Sequence, residues 1–177
     1  MKLIISTSNR IGNSYKIGND IKEEKDTFIS LNNCNLKYCM GCRSCINGYV
    51  KYCIIRDDMD KIYENLDKYN DIVFICPIYM DFINGITKNL IDRLYSYYGN
   101  KNLKGKNVYL ITIGDESEEE QEPVVETIKA YFNDMSTFFD FNFKFIRNFT
   151  SNIDHDVVKS YNNYNEIIES IRNNFDK

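Results

Sequence analysis

The chain has 177 residues, six of them cysteine, and a formal net charge of −4. This length favours one domain with its own apolar core, and the acidic balance gives no support for nucleic acid as a partner. No apolar run is long enough for a signal peptide or a membrane span, so we expect a cytoplasmic protein with no membrane partner. In that reducing compartment, six cysteines indicate metal binding or redox chemistry rather than structural disulfides.

Apolar strands alternate with amphipathic helices in the first half of the chain. Strands are predicted at 2–5, 27–31 and 71–76, and Pro77 is expected to stop the third strand and turn the chain outward. Helices are predicted at 13–24 and 57–69, with Asp57 or Asp58 as the N-cap of the second. A third helix is predicted from apolar residues at helical spacing: Ile86, Leu90, Ile91, Leu94 and Tyr98.

The second half repeats the alternation. A fourth strand is predicted at 107–113, followed by a helix that starts at Pro123, an edge strand at 141–146 and a last helix at 162–174. Five strands and five helices in this order predict an α/β fold, a doubly wound parallel five-stranded sheet with helices on both faces. We expect a single domain over residues 1–177, with ligands beyond the carboxyl ends of the strands.

Three loops follow predicted strand ends and should meet at one edge of the sheet. The first offers hydroxyl, amide and free helix N–H donors to a phosphomonoester, although ordinary helix caps use the same residue types. The second offers flat apolar surface to a ring system, a pattern that is also common in cores. In the third, a glycine lets the backbone approach a ligand. The candidate cofactor-binding residues are Thr7, Ser8, Asn9, Gly12, Asn13, Ser14, Pro77, Ile78, Tyr79, Met80, Thr112, Ile113, Gly114 and Asp115.

An acidic run carries six carboxylates within residues 115–122. It fits a solvated loop that leads into a helix N-terminus, where acids complement the helix dipole. It also fits an electrostatic docking surface for a cationic partner protein. The only histidine, His155, lies in a polar segment and is expected at the surface rather than in a catalytic role.

Four cysteines, Cys39, Cys42, Cys45 and Cys53, follow the second strand with C-x2-C-x2-C-x7-C spacing. Four thiolates suit a [4Fe–4S] cluster, with three on a tight loop and the fourth returning later. They also suit a structural zinc ion, although zinc sites commonly have two separated C-x2-C pairs. As a third alternative they hold no metal and act as thiols. Basic neighbours, Lys37, Arg43 and Lys51, are expected to lower the thiol pKa values.

At this point the sequence resembles the flavodoxin-like, NADPH-dependent FMN reductase family, and especially its iron–sulfur flavoprotein branch. The resemblance covers residues 1 to about 115. It is carried by the Gly12-Asn13-Ser14 turn, the 39–45 cysteine run closed by Cys53, the helix start at 57–59, and Pro77-Ile78-Tyr79 followed by Lys88 and 91–93. One departure is the sequence Ser6-Thr7-Ser8-Asn9, which lacks the family's arginine opposite the phosphate; Arg10 is the candidate replacement.

The resemblance implies bound FMN, with its phosphate on the first loop at Thr7, Asn9, Asn13 and Ser14 and its ring against 77–79. It implies an oxidoreductase that takes electrons from NAD(P)H and passes them to a small molecule or a redox partner protein, through the [4Fe–4S] cluster if the thiols hold one. It also implies a homodimer or homotetramer. No catalytic side chain is named, because the cofactor would do the bond-making. Two alternatives remain: a non-enzymatic electron carrier, and a structural metal-binding protein without flavin.

Overall fold

The computed structural model has a central sheet with helices on both faces. It describes residues 1–47, 50–100 (backbone only at 99 and 100) and 103–175. The strands are β1 (Lys2–Ser6), β2 (Thr27–Ser30), β3 (Asp71–Tyr79), β4 (Phe82–Ile83), β5 (Asn107–Gly114) and β6 (Asn142–Thr150). The helices are α1 (Asn13–Ile21), α2 (Met59–Lys68), α3 (Gly85–Leu94), α4 (Ser96–Asn100), α5 (Glu118–Phe139) and α6 (Tyr164–Asn174).

The sheet order is β2–β1–β3–β5–β6, and these five strands run parallel. This is the flavodoxin-like order. From β1 the sheet grows first on one side, to β2, and then on the other side, from β3 onward, so its switch point lies between β1 and β3. The strand β4 lies outside this order and pairs antiparallel with the end of β3. The predicted doubly wound parallel sheet is therefore confirmed, with a short hairpin added where β3 ends.

Apolar residues on each side of the sheet determine where the helices pack. Helices α1 and α6 cover one face, where Ile4 of β1 and Ile17 of α1 are fully buried. On the other face, apolar residues of α2, α3 and α5 pack into one core, which includes Ile62, Leu90 and Phe132. Because both faces are covered, the inner strands read as continuous apolar runs in the sequence.

The prediction that Pro77 stops β3 was wrong. The strand continues to Tyr79 and returns as β4 through Met80 and Asp81, both at positive φ, as a tight hairpin turn requires. Ile75 accepts a hydrogen bond from Thr7 on the β1 side, and Pro77, two residues on, faces the same side beyond the end of β1. The carbonyl oxygen of Pro77 accepts from the backbone N–H of Asn84 at 3.3 Å, directly after β4, so the chain stays paired at the proline.

The predicted helix start at Pro123 was also wrong. The helix α5 begins at Glu118, because Ser117 and Glu120 form a reciprocal capping box, and Pro123 lies inside the helix. The predicted third helix divides at Tyr95 into α3 and α4, and this break leaves Tyr98 exposed instead of buried. Of the described residues, none belongs to a helix that has both the length and the apolar character needed to cross a membrane.

Candidate functional site

A pocket opens beyond the carboxyl ends of β1, β3 and β5, the edge where the sequence predicted that three loops would meet. We call it the strand-end pocket; its volume is about 230 Å³. It is lined by Ser8, Arg10, Asn13, Ser14, Pro77, Ile78, Tyr79, Ile113, Gly114, Asp115, Ser151 and His155. Parallel strands present their carboxyl ends on one side, so residues far apart in sequence converge here.

The amino end of α1 forms one wall of this pocket. Its N-cap, Gly12, provides no side-chain hydrogen bond, so the first N–H groups of the helix are uncapped. The Arg10 side chain crosses this helix start, with Nε 3.5 Å from where a Cβ on Gly12 would lie. A guanidinium beside free helix N–H groups, with the Ser8 and Ser14 side chains in the same lining, is a donor set that suits a phosphate.

The side chain of Asn13 lines the pocket and also holds the fold together. Its amide donates to the backbone oxygen of His155 at 3.1 Å and accepts from the backbone N–H of Val157 at 3.3 Å. The side chain therefore fastens the loop after β6 to the start of α1. The backbone N–H of Asn13 and the second proton of its amide remain as candidate phosphate donors at this position.

The rim of the pocket is polar and lies between the loops after β5 and β6. His155 Nδ1 lies 2.7 Å from a carboxylate oxygen of Asp115, and the hydroxyl of Ser151 donates to the same carboxylate at 3.2 Å. Asp154 and His155 have φ values of 53° and 54°, in the left-handed region that costs non-glycine residues free energy. His155 is exposed, as expected, but it also lines the pocket, which the sequence pattern did not indicate.

The opposite wall is apolar and ends in exposed surface. Pro77 is buried, Ile78 is half-buried, and Tyr79 is 45% exposed at the mouth. The pocket is smaller than the range of about 300–1,000 Å³ that is usual for sites of drug-sized ligands. A ligand as large as FMN would therefore fill the pocket with one end and lay its ring along this exposed surface.

A buried hydrogen-bond network lies behind the first loop. Asn84 donates to the backbone oxygen of Thr7 at 2.7 Å and accepts from the N–H of Thr87 at 3.0 Å, while the Thr7 hydroxyl donates to Ile75 at 3.1 Å. Cys76 lies next to these threonines, and burial raises its pKa to about 11. Thr7 was predicted to contact phosphate, but its hydroxyl forms hydrogen bonds inside the fold. Asn84 was missed because its signal in the sequence is only that of a helix cap.

Nine of the fourteen predicted cofactor residues line the strand-end pocket and five do not. Thr112 is buried and its hydroxyl donates to Asn148, and Met80 is 98% exposed in the hairpin turn. Within the acidic run, Asp115 alone lines the pocket, and Glu118 instead pairs with Arg147. The five outside the lining are Thr7, Asn9, Gly12, Met80 and Thr112.

The second candidate region is a cavity of about 560 Å³ that is lined by all four predicted metal ligands, Cys39, Cys42, Cys45 and Cys53. We call it the cysteine cavity. Cys39 and Cys42 are exposed, Cys45 is half-buried and Cys53 is buried. Burial raises the pKa of Cys45, and the neighbouring thiols of Cys53, Cys42 and Cys39 raise it further. The four thiols are therefore close enough to interact electrostatically.

The thiols border a space rather than surround a point. Zinc binds cysteine sulfur at about 2.3 Å, and no three His, Cys, Asp or Glu side chains of the described chain are grouped to hold one ion. The exposed Cys42 thiol has a lowered pKa because Ser44 donates hydrogen bonds to it. Two of the three basic neighbours that were expected to lower the thiol pKa values are engaged elsewhere: Lys51 binds Asp67, and Lys37 binds a backbone oxygen. The third, Arg43, lines the cavity.

With this fold and these two regions, the protein is of the flavodoxin-like class. The model of the NADPH-dependent FMN reductase family matches residues 3–144, and the chain belongs to that family. It is 29% identical over 107 residues to an iron–sulfur flavoprotein of Methanocaldococcus jannaschii, a match that covers 59% of this chain and 54% of that protein. This chain thus spans little more than half the length of that relative.

Solved structures show the same fold. A flavone reductase superposes with a TM-score of 0.68 at 16% identity, over 98% of this chain and 62% of that one. An FMN-dependent NADH-azoreductase from Bacillus anthracis, solved in complex with FMN, superposes with a TM-score of 0.59 at 12% identity, over 99% of each chain. At these identities the likeness concerns the fold alone.

Proposed function

We propose that this chain binds FMN in the strand-end pocket and works as an oxidoreductase that takes electrons from NAD(P)H. The observation that carries the proposal is the pairing of a phosphate-type donor set with an apolar wall at the switch point of a flavodoxin-like sheet. Family membership supports it. Bound FMN would supply the electron-transfer chemistry.

The chain's own residues would bind and orient the cofactor. Arg10 and the uncapped N–H groups of α1 would hold the phosphate, because both place positive charge at one end of the pocket. Pro77 and Ile78 would support the ring along the apolar wall. Tyr79 lies at the exposed mouth, so the ring edge would stay accessible to a nicotinamide and to an acceptor.

We further propose that the cysteine cavity holds a [4Fe–4S] cluster. Four thiols on one cavity match the four ligands that such a cluster needs, and the space between them suits a multi-atom group better than a single ion. The similarity to an iron–sulfur flavoprotein supports this assignment. A cluster there would serve as a one-electron relay to a small-molecule or protein acceptor.

The flavin assignment is tested by titrating the flavin-free protein with FMN and with riboflavin, which lacks the phosphate. We expect Arg10→Gln to weaken FMN binding by about 10- to 100-fold, the value of a charge-assisted hydrogen bond, and to leave riboflavin binding unchanged. Equal losses for both flavins would contradict the phosphate position. An exposed arginine that does not line the pocket, Arg56, provides the matched control as Arg56→Gln.

The enzymatic part is tested by steady-state oxidation of NADH and NADPH by the FMN-loaded protein. Turnover with either nucleotide supports the reductase. An FMN-loaded protein that accepts electrons only from chemical reductants would instead be an electron carrier. Iron and acid-labile sulfide are assayed on the same anaerobic sample, and about four irons per chain are expected from four thiolate ligands.

A further inference from the structure

Both ends of the cysteine segment meet at one buried side chain, Arg93 of α3. Its Nη1 donates to the backbone oxygen of Lys37 at 2.7 Å, two residues before Cys39. Its Nη2 donates to the backbone oxygen of Ile55 at 3.2 Å, two residues after Cys53. The segment that carries all four thiols is therefore closed at its base by a single guanidinium.

Asp57 completes this clamp. Its two carboxylate oxygens accept from Nη1 at 2.8 Å and Nη2 at 3.0 Å, and it also accepts from the backbone N–H of Lys37 at 2.8 Å. Both side chains of the ion pair are only 1% exposed. Such a planar, two-bond pair fixes orientation as well as distance, which an ammonium group cannot do.

One proton of the guanidinium is left over. Arginine has five N–H donors, and the four on Nη1 and Nη2 have the four acceptors just described. Nε is buried and has no hydrogen-bond partner within the described residues. A buried N–H without a partner calls for an explanation. Within the described residues Nε is also unpartnered in Arg147 and Arg172, but of these three arginines only Arg93 lines the cysteine cavity.

The missing partner is indicated by the position of Arg93. The side chain lines the cysteine cavity together with the four thiols. Burial by itself would lower the pKa of Arg93, but Asp57 and the nearby Cys53 thiol raise it overall. Because the four thiols share this cavity with Arg93, the group that would face the guanidinium from inside it is an anionic sulfur, as a thiolate or as cluster sulfide.

We propose that Arg93 is a positioning residue for the cysteine cavity: its Nη protons hold the two ends of the loop together, and its Nε–H donates to the anionic sulfur group held there. The first half, the clamp on the loop, rests on the protein alone. The second half, the Nε–H bond, rests on the proposed cluster. Hydrogen bonds to cluster sulfurs make reduction easier, so Arg93 would raise the cluster's reduction potential.

The test compares Arg93→Lys with Arg56→Lys, the same substitution at an exposed arginine that does not line the cavity. FMN affinity serves as the check on folding, because no residue of the strand-end pocket is changed. In the metal-free, FMN-loaded protein, we expect Arg93→Lys to speed the labelling of the buried Cys53 by maleimide at least tenfold. Arg56→Lys should leave this rate unchanged, and an unchanged rate in Arg93→Lys would overturn the clamp.

The second half is tested on protein reconstituted with iron and sulfide. A redox titration followed by electron paramagnetic resonance should give a more negative midpoint potential for Arg93→Lys and the wild-type value for Arg56→Lys. Arg43 also lines the cavity, so the ¹⁵N measurement uses the Arg43→Lys variant, in which position 43 carries no label. With ¹⁵N-labelled arginine, its reduced cluster should show coupling to ¹⁵N. This measurement does not depend on whether Arg93→Lys folds. Absence of this coupling would overturn the Nε–H bond. Failure of the wild type to take up iron would overturn the proposed cluster and that bond together, while Cys53 labelling would still decide the clamp.

Discussion

The strand-end pocket and the cysteine cavity are held in shape by different means. The pocket is formed where three parallel strands end, so its geometry follows from a hydrogen-bonded sheet whose strands are almost fully buried. The cavity lies in an irregular segment between β2 and α2, and side chains fasten that segment at its ends. Backbone pairing thus shapes one region, and a few polar side chains shape the other.

This difference has a consequence for robustness. A sheet distributes its stabilisation over many backbone hydrogen bonds, so single substitutions at the pocket should act locally. The cysteine segment depends on the Arg93–Asp57 pair, and breaking a buried ion pair leaves one charge buried without compensation. We therefore expect the largest effects of single substitutions at the base of the cysteine segment.

Of these substitutions, Asp57→Asn should lower the stability of the protein most. It removes the charge opposite Arg93 and should lower the free energy of unfolding by about 3–5 kcal/mol, as measured by urea denaturation. The neighbouring Asp58→Asn is the control, because Asp58 also accepts a backbone hydrogen bond, from Asn35 at 2.9 Å, but is not part of the buried pair. Similar losses for both variants would contradict the special role of Asp57.

The same pair predicts a pH dependence. Burial raises the pKa of Asp57, but hydrogen bonds from Arg93 and two backbone N–H groups outweigh it and hold the pKa below its usual value. A lowered folded-state pKa adds stability above the unfolded value of about 3.9, and this stability is lost as the pH falls through the folded value. Stability of the wild type should therefore fall more steeply below about pH 4 than that of Asp57→Asn.

Gly114→Ala tests the strand-end pocket with an intermediate expected effect. A Cβ at the end of β5 would collide with the side-chain amide of Gln121, which is buried and bonds to Asn148 at 3.2 Å. Overpacking of this kind should cost about 1–3 kcal/mol, and FMN affinity should fall because the glycine lines the pocket.

The matched control for that substitution is Gly85→Ala at the start of α3. A Cβ there meets no atom within 4 Å, so the change should be neutral or stabilise by up to about 1 kcal/mol. An FMN affinity that responds equally to both alanines would show that the close approach at Gly114 does not shape the pocket.

The smallest effect concerns thiol reactivity, which should differ between the two regions. The Cys42 thiol is exposed and its pKa is lowered by Ser44, whereas burial raises the pKa of Cys76 behind the strand-end pocket to about 11. Since the thiolate is the reactive form, iodoacetamide should alkylate Cys42 of the metal-free protein at pH 7 well before Cys76. Peptide mapping by mass spectrometry measures both rates, and Ser44→Ala should slow the reaction of Cys42 only.

Much of the fold was predictable because its signals are local. Continuous apolar runs at 71–76 and 107–113 predicted buried strands, and the alternation with helices predicted the parallel sheet. The helix start at Pro123 was mispredicted because proline is common at helix starts, whereas the capping box at Ser117 and Glu120 competes for that role from within the acidic run.

The sequence by itself determined the order of strands and helices, the loops that meet at the strand ends, and the spacing of the four cysteines, since each depends on residues close together along the chain. Only the tertiary structure decided that Asn13 fastens the loop after β6, that His155 and Ser151 reach the pocket, and that Arg93 closes the cysteine segment. These contacts join residues between 36 and 144 positions apart. No local pattern encodes which distant acceptor a polar side chain will meet, because that depends on how the helices and loops pack around the sheet.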